Sequence, residues 1–280
     1  MTSQAPIRTR SWLFTPATRP ERFAKASQAG ADVAILDLED AVAPGDKARA
    51  RTTALDYLAE NPSDGALHAL RVNGLDTRAG ISDLDALLGS TAAPDFLVLP
   101  KTETAGHIEI LDRLLTAAGK ATRLIGLIES ARGLAAVEAI ATATPRLAGL
   151  MLGAADMAAD LGTTVAWEPL AFVRCRLIAA CALAGVVSVD SPYFDLHDEP
   201  GLKREVIGAV TFGFSAKAAI HPAQVGAINA ALTPSAEAVK RARAILAENT
   251  TGVGTVDGQM IDEAVARKAR RTLFSAGLEA

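Results

Sequence analysis

The chain has 280 residues with a formal net charge of −4 at pH 7, and half of its residues are hydrophobic. A nucleic-acid-binding surface needs clustered basic residues, so this mild acidity argues against a nucleic-acid partner. The length allows a large core, either in one barrel-sized domain or in two smaller domains.

Neither membrane insertion nor secretion is expected. The first twelve residues, MTSQAPIRTRSW, lack the apolar segment of a secretion signal, and no apolar run approaches the 18 residues that a membrane helix needs. The chain has only two cysteines, Cys175 and Cys181, in one helical-looking stretch. A disulfide scaffold and a thiolate zinc site are therefore both unexpected, and a cytoplasmic location fits better.

Short apolar runs recur along the chain, each closing on polar or charged residues, with helical patterns between them. The eight runs cover residues 11–16, 33–40, 67–74, 95–102, 123–130, 147–156, 185–192 and 214–220. Such runs are typical of parallel strands buried on both faces. The strand–helix alternation predicts an α/β protein with a (β/α)8 TIM barrel, and an open doubly wound sheet is the alternative.

The last part of the chain follows the eighth predicted strand. We expect residues 1–232 to form the barrel as the catalytic domain and residues 233–280 to form a C-terminal helical extension and lid. The extension contains one helix at about 235–248, a glycine-rich link TTGVGTVDGQ, and a final helix in MIDEAVARKARRTL.

Charged and polar residues collect where the predicted strands end. In a barrel, the C-terminal ends of all strands face one mouth. The residues that this places at the mouth are Arg19, Asp37, Glu39, Asp40, Arg71, Asn73, Lys101, Glu129, Asp156, Asp190, Lys217 and His221.

Two of these carboxylates predict a metal site. Glu129 ends the fifth apolar run and Asp156 ends the sixth, so they are expected on neighbouring strands at the same depth. Two carboxylates, with the other positions left to water and substrate, usually hold Mg²⁺, whereas the His and Cys ligands of zinc are missing. The alternative for Glu129 is a salt bridge to an arginine on a neighbouring strand.

Arg71 has the geometry of a bidentate clamp for a substrate carboxylate. The triplet Asp37, Glu39 and Asp40 needs a cation nearby, because three unshielded acids repel one another. Asp37 and Glu39 share one strand face, and we predict that they line the substrate site and hold Arg71 or metal-bound water. Arg71 as their ion-pair partner is the alternative, and both roles are compatible.

Several ordered motifs together resemble one family. They are LFTPATRPERFAKA, ADVAILDLEDAVAPGDKARAR, LRVNGLDT, LVLPKTE, LIGLIESARGL, LMLGAADMAADLG and KAAIHPAQVGAIN. Over nearly its whole length the chain resembles citrate lyase β-subunit-like (CitE-like) proteins of the HpcH/HpaI aldolase/citrate lyase group, which includes malyl-CoA lyases. Ala17 departs from the pattern, since the family commonly has glycine there.

The resemblance implies a (β/α)8 barrel and a set of site residues. Glu129 and Asp156 would bind Mg²⁺, with Mn²⁺ possible, and Arg71 would hold the substrate carboxylate. Arg19 and Lys25 would meet the phosphates of coenzyme A, and their alternative is a solvated first helix.

The resemblance also reaches the C-terminal segment GQMIDEA, which is similar to the lid of malyl-CoA lyases. It implies that Asp262 enters a neighbouring subunit's site and moves a proton on the acetyl-CoA methyl carbon, in a homo-oligomer that is a trimer or a hexamer. Asp262 as the cap of the last helix is the alternative. Asp257 is a second candidate acid.

The expected activity is that of a Mg-dependent carbon–carbon lyase. Its substrate would be a CoA thioester of a hydroxy acid, of the citryl-CoA or malyl-CoA type, cleaved to or condensed from acetyl-CoA and a 2-oxo acid. Thioester hydrolysis, as in a malate synthase-like reaction, would be an added step. The alternatives are a CoA-independent 2-oxo acid aldolase, a carrier-protein-dependent citrate lyase subunit, and a non-catalytic metabolite-binding barrel.

Overall fold

The structure is a computed structural model that describes residues 8–61, 63, 65–248, 254–256 and 259–279. The chain divides into two compact units, Met1–Ile228 and Asn229–Ala280. The first unit contains a closed barrel of eight parallel strands in sequence order, so the TIM-barrel prediction is confirmed and the open-sheet alternative is wrong. The assignment of 1–232 as the catalytic domain and 233–280 as a lid stays a prediction.

Apart from β1, the barrel strands are shorter than the apolar runs that predicted them. They are β1 (Ser11–Pro16), β2 (Val33–Asp37), β3 (Leu67–Arg71), β4 (Phe96–Leu99), β5 (Arg123–Ile128), β6 (Leu147–Leu152), β7 (Val187–Asp190) and β8 (Ala216–Ala219). Each pairs with its neighbour in parallel, and β1 pairs with β8 to close the ring. Because the strands end early, several predicted strand-end residues lie in the following loops.

Helices connect the strands. In the first unit they are α1 (Phe23–Gln28), α2 (Lys47–Glu60), α3 (Arg78–Gly89), α4 (Ala105–Ala117), α5 (Ala131–Ala135), α6 (Val137–Ala141), α7 (Ala154–Asp160), α8 (Ala171–Ala184), α9 (Glu199–Phe212) and α10 (Pro222–Leu232), the last of which extends into the second unit. Local sequence sets several of their ends. Thr77, Thr104 and Ser130 cap α3, α4 and α5 through their side-chain oxygens, and Gly185 ends α8 in the left-handed conformation.

Two separate hydrophobic clusters follow from the alternation of side chains along each strand. One fills the barrel interior and includes Trp12, Ile35, Phe96 and Met151. The other lies between the barrel and its helices and includes Leu36. A residue two positions further along a strand lies on the same face. Several charged residues that follow interior residues in this way therefore point into the mouth of the barrel.

The second unit has its own small core. It contains α11 (Ala236–Glu248), the antiparallel pair β9 (Gly254–Val256) and β10 (Gln259–Ile261), and α12 (Glu263–Ser275). Ile245, Ile261 and Leu273 are buried in this core. Both helices were expected, whereas the strand pair was not, because the sequence of that segment favours a flexible link.

No helix among the described residues is long and apolar enough to cross a membrane.

Candidate active site

A buried ion pair lies at the mouth of the barrel, between neighbouring strands. Asp37 and Arg71 are register partners on β2 and β3. Nε and Nη2 of Arg71 each donate to one carboxylate oxygen of Asp37, both at 2.7 Å. Burial lowers the pKa of Arg71, but the charges of Asp37 and Glu39 raise it by more, so the guanidinium stays charged. The ion-pair role that the sequence left open for Arg71 is therefore present.

The same guanidinium also contacts Glu39. Nη1 of Arg71 lies 2.8 Å from Oε2 of Glu39, an ion pair that lacks hydrogen-bond geometry. Asp40 is exposed and lies 3.8 Å from the same nitrogen. Cζ of Arg71 lies over the Phe14 ring, 4.9 Å from the ring centroid. Arg71 is thus held on several sides in one orientation.

Lys101 contacts acidic residues that follow three different strands, β2, β5 and β6. Its Nζ donates to Oε1 of Glu39 at 2.7 Å and lies 3.5 Å from Oδ2 of Asp156. Its backbone N–H donates to Oε1 of Glu129 at 2.7 Å. Burial lowers the pKa of Lys101, but the hydrogen bond and charge of Glu39 raise it by more, so the ammonium is retained.

Glu129 is the most buried acid of the predicted metal pair. Its side chain follows the interior alternation of β5 and is 5% exposed. Burial raises its pKa to about 8, and the nearby charges of Glu39 and Asp156 act in the same direction. A nearby cation would therefore stabilise the ionised form of Glu129.

A close approach of backbone makes room for Glu129. A β-carbon on Gly153 would lie 2.5 Å from Oε2 and 2.6 Å from Cβ of Glu129. The Gly153 N–H donates to the carbonyl of Ile128 at 3.0 Å, which ties the loop after β6 to the end of β5. Only glycine leaves space for the Glu129 side chain here.

Asp156 lies elsewhere than the sequence predicted. It was expected at the end of the sixth strand, but β6 ends at Leu152 and Asp156 lies in the first turn of α7. Its side chain is 45% exposed and shares Lys101 with Glu39. The prediction of neighbouring strands at one depth is wrong in this detail, because three intervening residues turn the chain into a helix.

The residues present fit a hard divalent cation. Glu129 and Asp156 offer carboxylate oxygens toward the mouth, the ligand type that Mg²⁺ and Mn²⁺ accept. Among the described residues, no group of three or more His, Cys, Asp or Glu side chains is arranged as a metal site. A site built on two protein carboxylates leaves the other coordination positions to water and substrate.

The predicted coenzyme A contacts lie after β1. Arg19 is exposed and lies 4.0 Å from Glu21 in a loose surface ion pair. Lys25 is exposed on α1. Their position leaves both side chains accessible, and their role stays a prediction.

Of the two candidate acids in the C-terminal segment, the structure describes Asp262 but not Asp257. Asp262 caps α12, because its Oδ1 accepts the N–H of Val265 at 2.9 Å. The capping alternative is therefore present, and the catalytic role stays a prediction. Asp257 lies outside the described residues.

Asp190 and Lys217, both expected at the mouth, face the helical layer instead. Lys217 is fully buried, with its Nζ 2.6 Å from Asp190 and 2.8 Å from Glu205 on α9. Arg174 on α8 donates to the other oxygen of Asp190 at 3.0 Å. The neighbours of Lys217 on β8, both alanines, point into the barrel, so alternation places Lys217 outside. This cluster joins strands to helices.

Sequence reasoning placed Lys101 at the mouth but gave it no role. Pro100, the residue before Lys101, has a fixed φ and is typical of a bend in the chain. The contacts of Lys101 join positions 28 and 62 residues away along the chain, which local patterns do not reveal.

The fold and site together define a (β/α)8 barrel with a buried carboxylate cluster at its C-terminal mouth, the usual position of an active site in this fold. Residues 10–222 match the model of the HpcH/HpaI aldolase/citrate lyase family, and the chain belongs to that family.

Similar proteins span almost the full length. An L-malyl-CoA/beta-methylmalyl-CoA lyase of Rhodobacter capsulatus is 36% identical over 298 residues, covering 95% of this chain and 94% of the relative. A citrate lyase subunit beta-like protein of Mycobacterium tuberculosis is 37% identical, covering 95% of each.

Solved structures are also similar. CitE from Mycobacterium tuberculosis, in complex with magnesium, acetoacetate and coenzyme A, matches with a TM-score of 0.80 and 36% identity, covering 96% of this chain and 98% of that one. RipC from Yersinia pestis matches with a TM-score of 0.74 and 57% identity, covering 82% and 97%.

Proposed function

We propose that this protein is a Mg-dependent carbon–carbon lyase acting on a CoA thioester of a hydroxy acid, of the citryl-CoA or malyl-CoA type. It would cleave the thioester to acetyl-CoA and a 2-oxo acid, or condense the two. The observation that carries the proposal is the cluster of Glu129, Asp156 and Arg71 at the barrel mouth. The CoA- and magnesium-bound CitE structure and the malyl-CoA lyase relative support it.

Glu129 and Asp156 hold the cation in this proposal. When bound, Mg²⁺ supplies Lewis-acid polarisation of the 2-oxygen of the oxo acid, and Mn²⁺ would serve in the same way. Glu129 is oriented by the Lys101 N–H, and Gly153 leaves it the space to reach the mouth. Such fixed ligands reduce the reorganisation needed during reaction.

Arg71 orients the substrate carboxylate and stabilises charge that develops on the neighbouring oxygen. Asp37 occupies Nε and Nη2, so a substrate carboxylate would approach the Nη1 edge, beside Glu39. Asp37 and Glu39 then contribute to the substrate site chiefly by fixing Arg71 and Lys101.

Asp262 is the proposed acid–base group. In condensation its carboxylate removes a proton from the methyl carbon of acetyl-CoA, and in cleavage its acid form returns that proton. This assignment requires a homo-oligomer, a trimer or a hexamer, in which the C-terminal segment serves a neighbouring subunit. Oδ1 of Asp262 caps α12, which leaves Oδ2 for the proton transfer.

The coenzyme A phosphates are assigned to Arg19 and Lys25, two exposed cations after β1. Free coenzyme A is a cytoplasmic metabolite, and the absence of a disulfide framework agrees with a cytoplasmic location.

The first test is turnover of a thioester panel with and without Mg²⁺. Malyl-CoA and citryl-CoA test cleavage, and acetyl-CoA with glyoxylate or oxaloacetate tests condensation. Mg-dependent turnover of one of these thioesters is the expected result. Turnover of free hydroxy-oxo acids without any thioester would replace the proposal by the CoA-independent aldolase.

A further inference from the structure

The backbone of Lys101 has an unusual conformation. Its φ is +49°, and Lys101 is the one non-glycine residue with positive φ in the described part of the chain. Unbranched side chains tolerate this left-handed region at a cost, and β-branched side chains largely avoid it. Such a strained conformation persists where the surrounding structure determines it. Here it points the Lys101 N–H at the buried carboxylate of Glu129.

The loop around Lys101 is held on both sides. Thr102 donates its N–H to the carbonyl of Leu127 at 3.1 Å and its hydroxyl to the carbonyl of Leu99 at 2.9 Å. Glu103 accepts the hydroxyl of Ser130 at 2.8 Å. The loop after β4 is therefore attached along the end of β5, immediately beside Glu129.

A glycine allows this close approach. A β-carbon on Gly133 would lie 2.6 Å from the carbonyl oxygen of Thr102. Larger residues at position 133 would push the loop away from β5. Contacts from two strands and one helix thus set the backbone conformation of Lys101, against the preference of a lysine side chain.

We propose that Lys101 is a positioning residue for the carboxylates of this site. Its left-handed backbone aims the N–H at Oε1 of Glu129, and its ammonium holds Oε1 of Glu39. The two carboxylates are thereby oriented by one residue. The inference deepens the proposed function, on which it rests for the identity of Glu129 as a metal ligand.

The link between Lys101 and Glu129 is tested without any metal, by amide exchange measured with NMR on ¹⁵N-labelled protein. In the metal-free protein the Lys101 amide is protected, and Glu129→Leu speeds its exchange by about tenfold or more, as expected when a buried hydrogen bond is lost. The Thr102 amide, bonded to a backbone carbonyl, is the control and keeps its protection. Equal exchange of the Lys101 amide in wild type and Glu129→Leu would overturn the proposal.

The effect on the metal is tested by calorimetric titration of Mg²⁺ into three variants that all lack the ammonium. Lys101→Gly adopts positive φ freely, Lys101→Met adopts it as lysine does, and Lys101→Val avoids it. We expect about tenfold or more weaker Mg²⁺ binding for the valine variant than for the glycine variant, as for loss of a group that orients a metal ligand.

The methionine variant should bind Mg²⁺ within about threefold of the glycine variant, since both keep the backbone conformation. Equal Mg²⁺ affinity of the valine and glycine variants would overturn the positioning role. If wild type bound no Mg²⁺ while the exchange result held, the metal part of the proposed function would fail and the link from Lys101 to Glu129 would stand.

Discussion

Arg71 and Asp37 face each other across β3 and β2, and two parallel hydrogen bonds of 2.7 Å join them in a nearly solvent-free position. Such a pair fixes both side chains, and loss of either partner leaves a buried charge without compensation. The orientation of Arg71 therefore depends on the strand register as much as on the residue itself.

Arg71→Met should destabilise the fold by about 3–5 kcal/mol, because Asp37 is left buried and unpaired. Urea unfolding followed by circular dichroism measures this loss. The control is Arg113→Met, which removes an exposed helical pair with Glu109 and should cost less than about 0.5 kcal/mol. A loss for Arg71→Met as small as for Arg113→Met would contradict the account.

Gly153→Ala should weaken Mg²⁺ binding about 10–100-fold, because the new β-carbon displaces the carboxylate of Glu129. Calorimetric titration measures the affinity. Gly226→Ala is the matched control, since a β-carbon meets open space there on α10. Alanine in that helix should stabilise the fold by about 0.5–1 kcal/mol and leave Mg²⁺ binding unchanged. Similar Mg²⁺ affinities for both variants would refute the packing argument.

The two roles of Asp262 are separable by substitution. Asparagine caps helices as well as aspartate does, so Asp262→Asn should leave the melting temperature nearly unchanged. The same variant should lose about 10²–10⁴-fold in thioester turnover, the usual contribution of general acid–base catalysis. Asp262→Asn with full turnover would leave only the capping role.

A subunit-mixing experiment tests whether Asp262 acts on a neighbouring subunit. Asp262→Asn and Glu129→Gln should each turn over little or no thioester alone and should regain turnover when mixed, because mixed oligomers contain some sites with both native residues. Gel filtration before mixing checks that an oligomer exists. Absence of any recovery from an exchanged mixture would argue against a site shared between subunits.

The cysteines should react differently. Burial raises the pKa of the Cys181 thiol to about 12, whereas Cys175 is exposed. At pH 8 a thiol reagent should therefore label one thiol in the native protein, two in the unfolded protein, and none in native Cys175→Ser. Rapid labelling of two native thiols would contradict the burial of Cys181.

The same pKa shift sets a sign for stability. A folded-state pKa raised above the ordinary thiol value means that the protonated thiol is favoured in the fold. The stabilisation of the fold by the protonated Cys181 thiol is complete below the pKa of the thiol in the unfolded chain. It is lost as pH rises from about 9 toward 12.

Local patterns were sufficient for the barrel and for the presence of carboxylates at its mouth. Apolar runs that end on acids such as Asp37 or Glu129 are typical of parallel strands that carry charged side chains to one end of the sheet. The direction of Asp190 and Lys217 was not predictable from their positions at strand ends, because a one-residue change in where a strand ends reverses the face.

The role of Lys101 was also not predictable. Its backbone angle depends on Thr102, Gly133 and the end of β5, which the chain brings together only in the folded barrel. Asp262 shows the same limit, since its place before a helix predicts a cap and carries no information about a second role.

The most direct test of the account compares wild type with Glu129→Gln in Mg²⁺ titration and in malyl-CoA and citryl-CoA cleavage. Glutamine keeps the shape and an acceptor for the Lys101 N–H, and Glu109→Gln, at a half-exposed position on α4, is the control. We predict that wild type and the control bind Mg²⁺ and cleave a thioester, and that Glu129→Gln does neither while remaining folded. Equal Mg²⁺ affinity and equal turnover in wild type and Glu129→Gln would contradict the assignment of this carboxylate cluster as the metal centre.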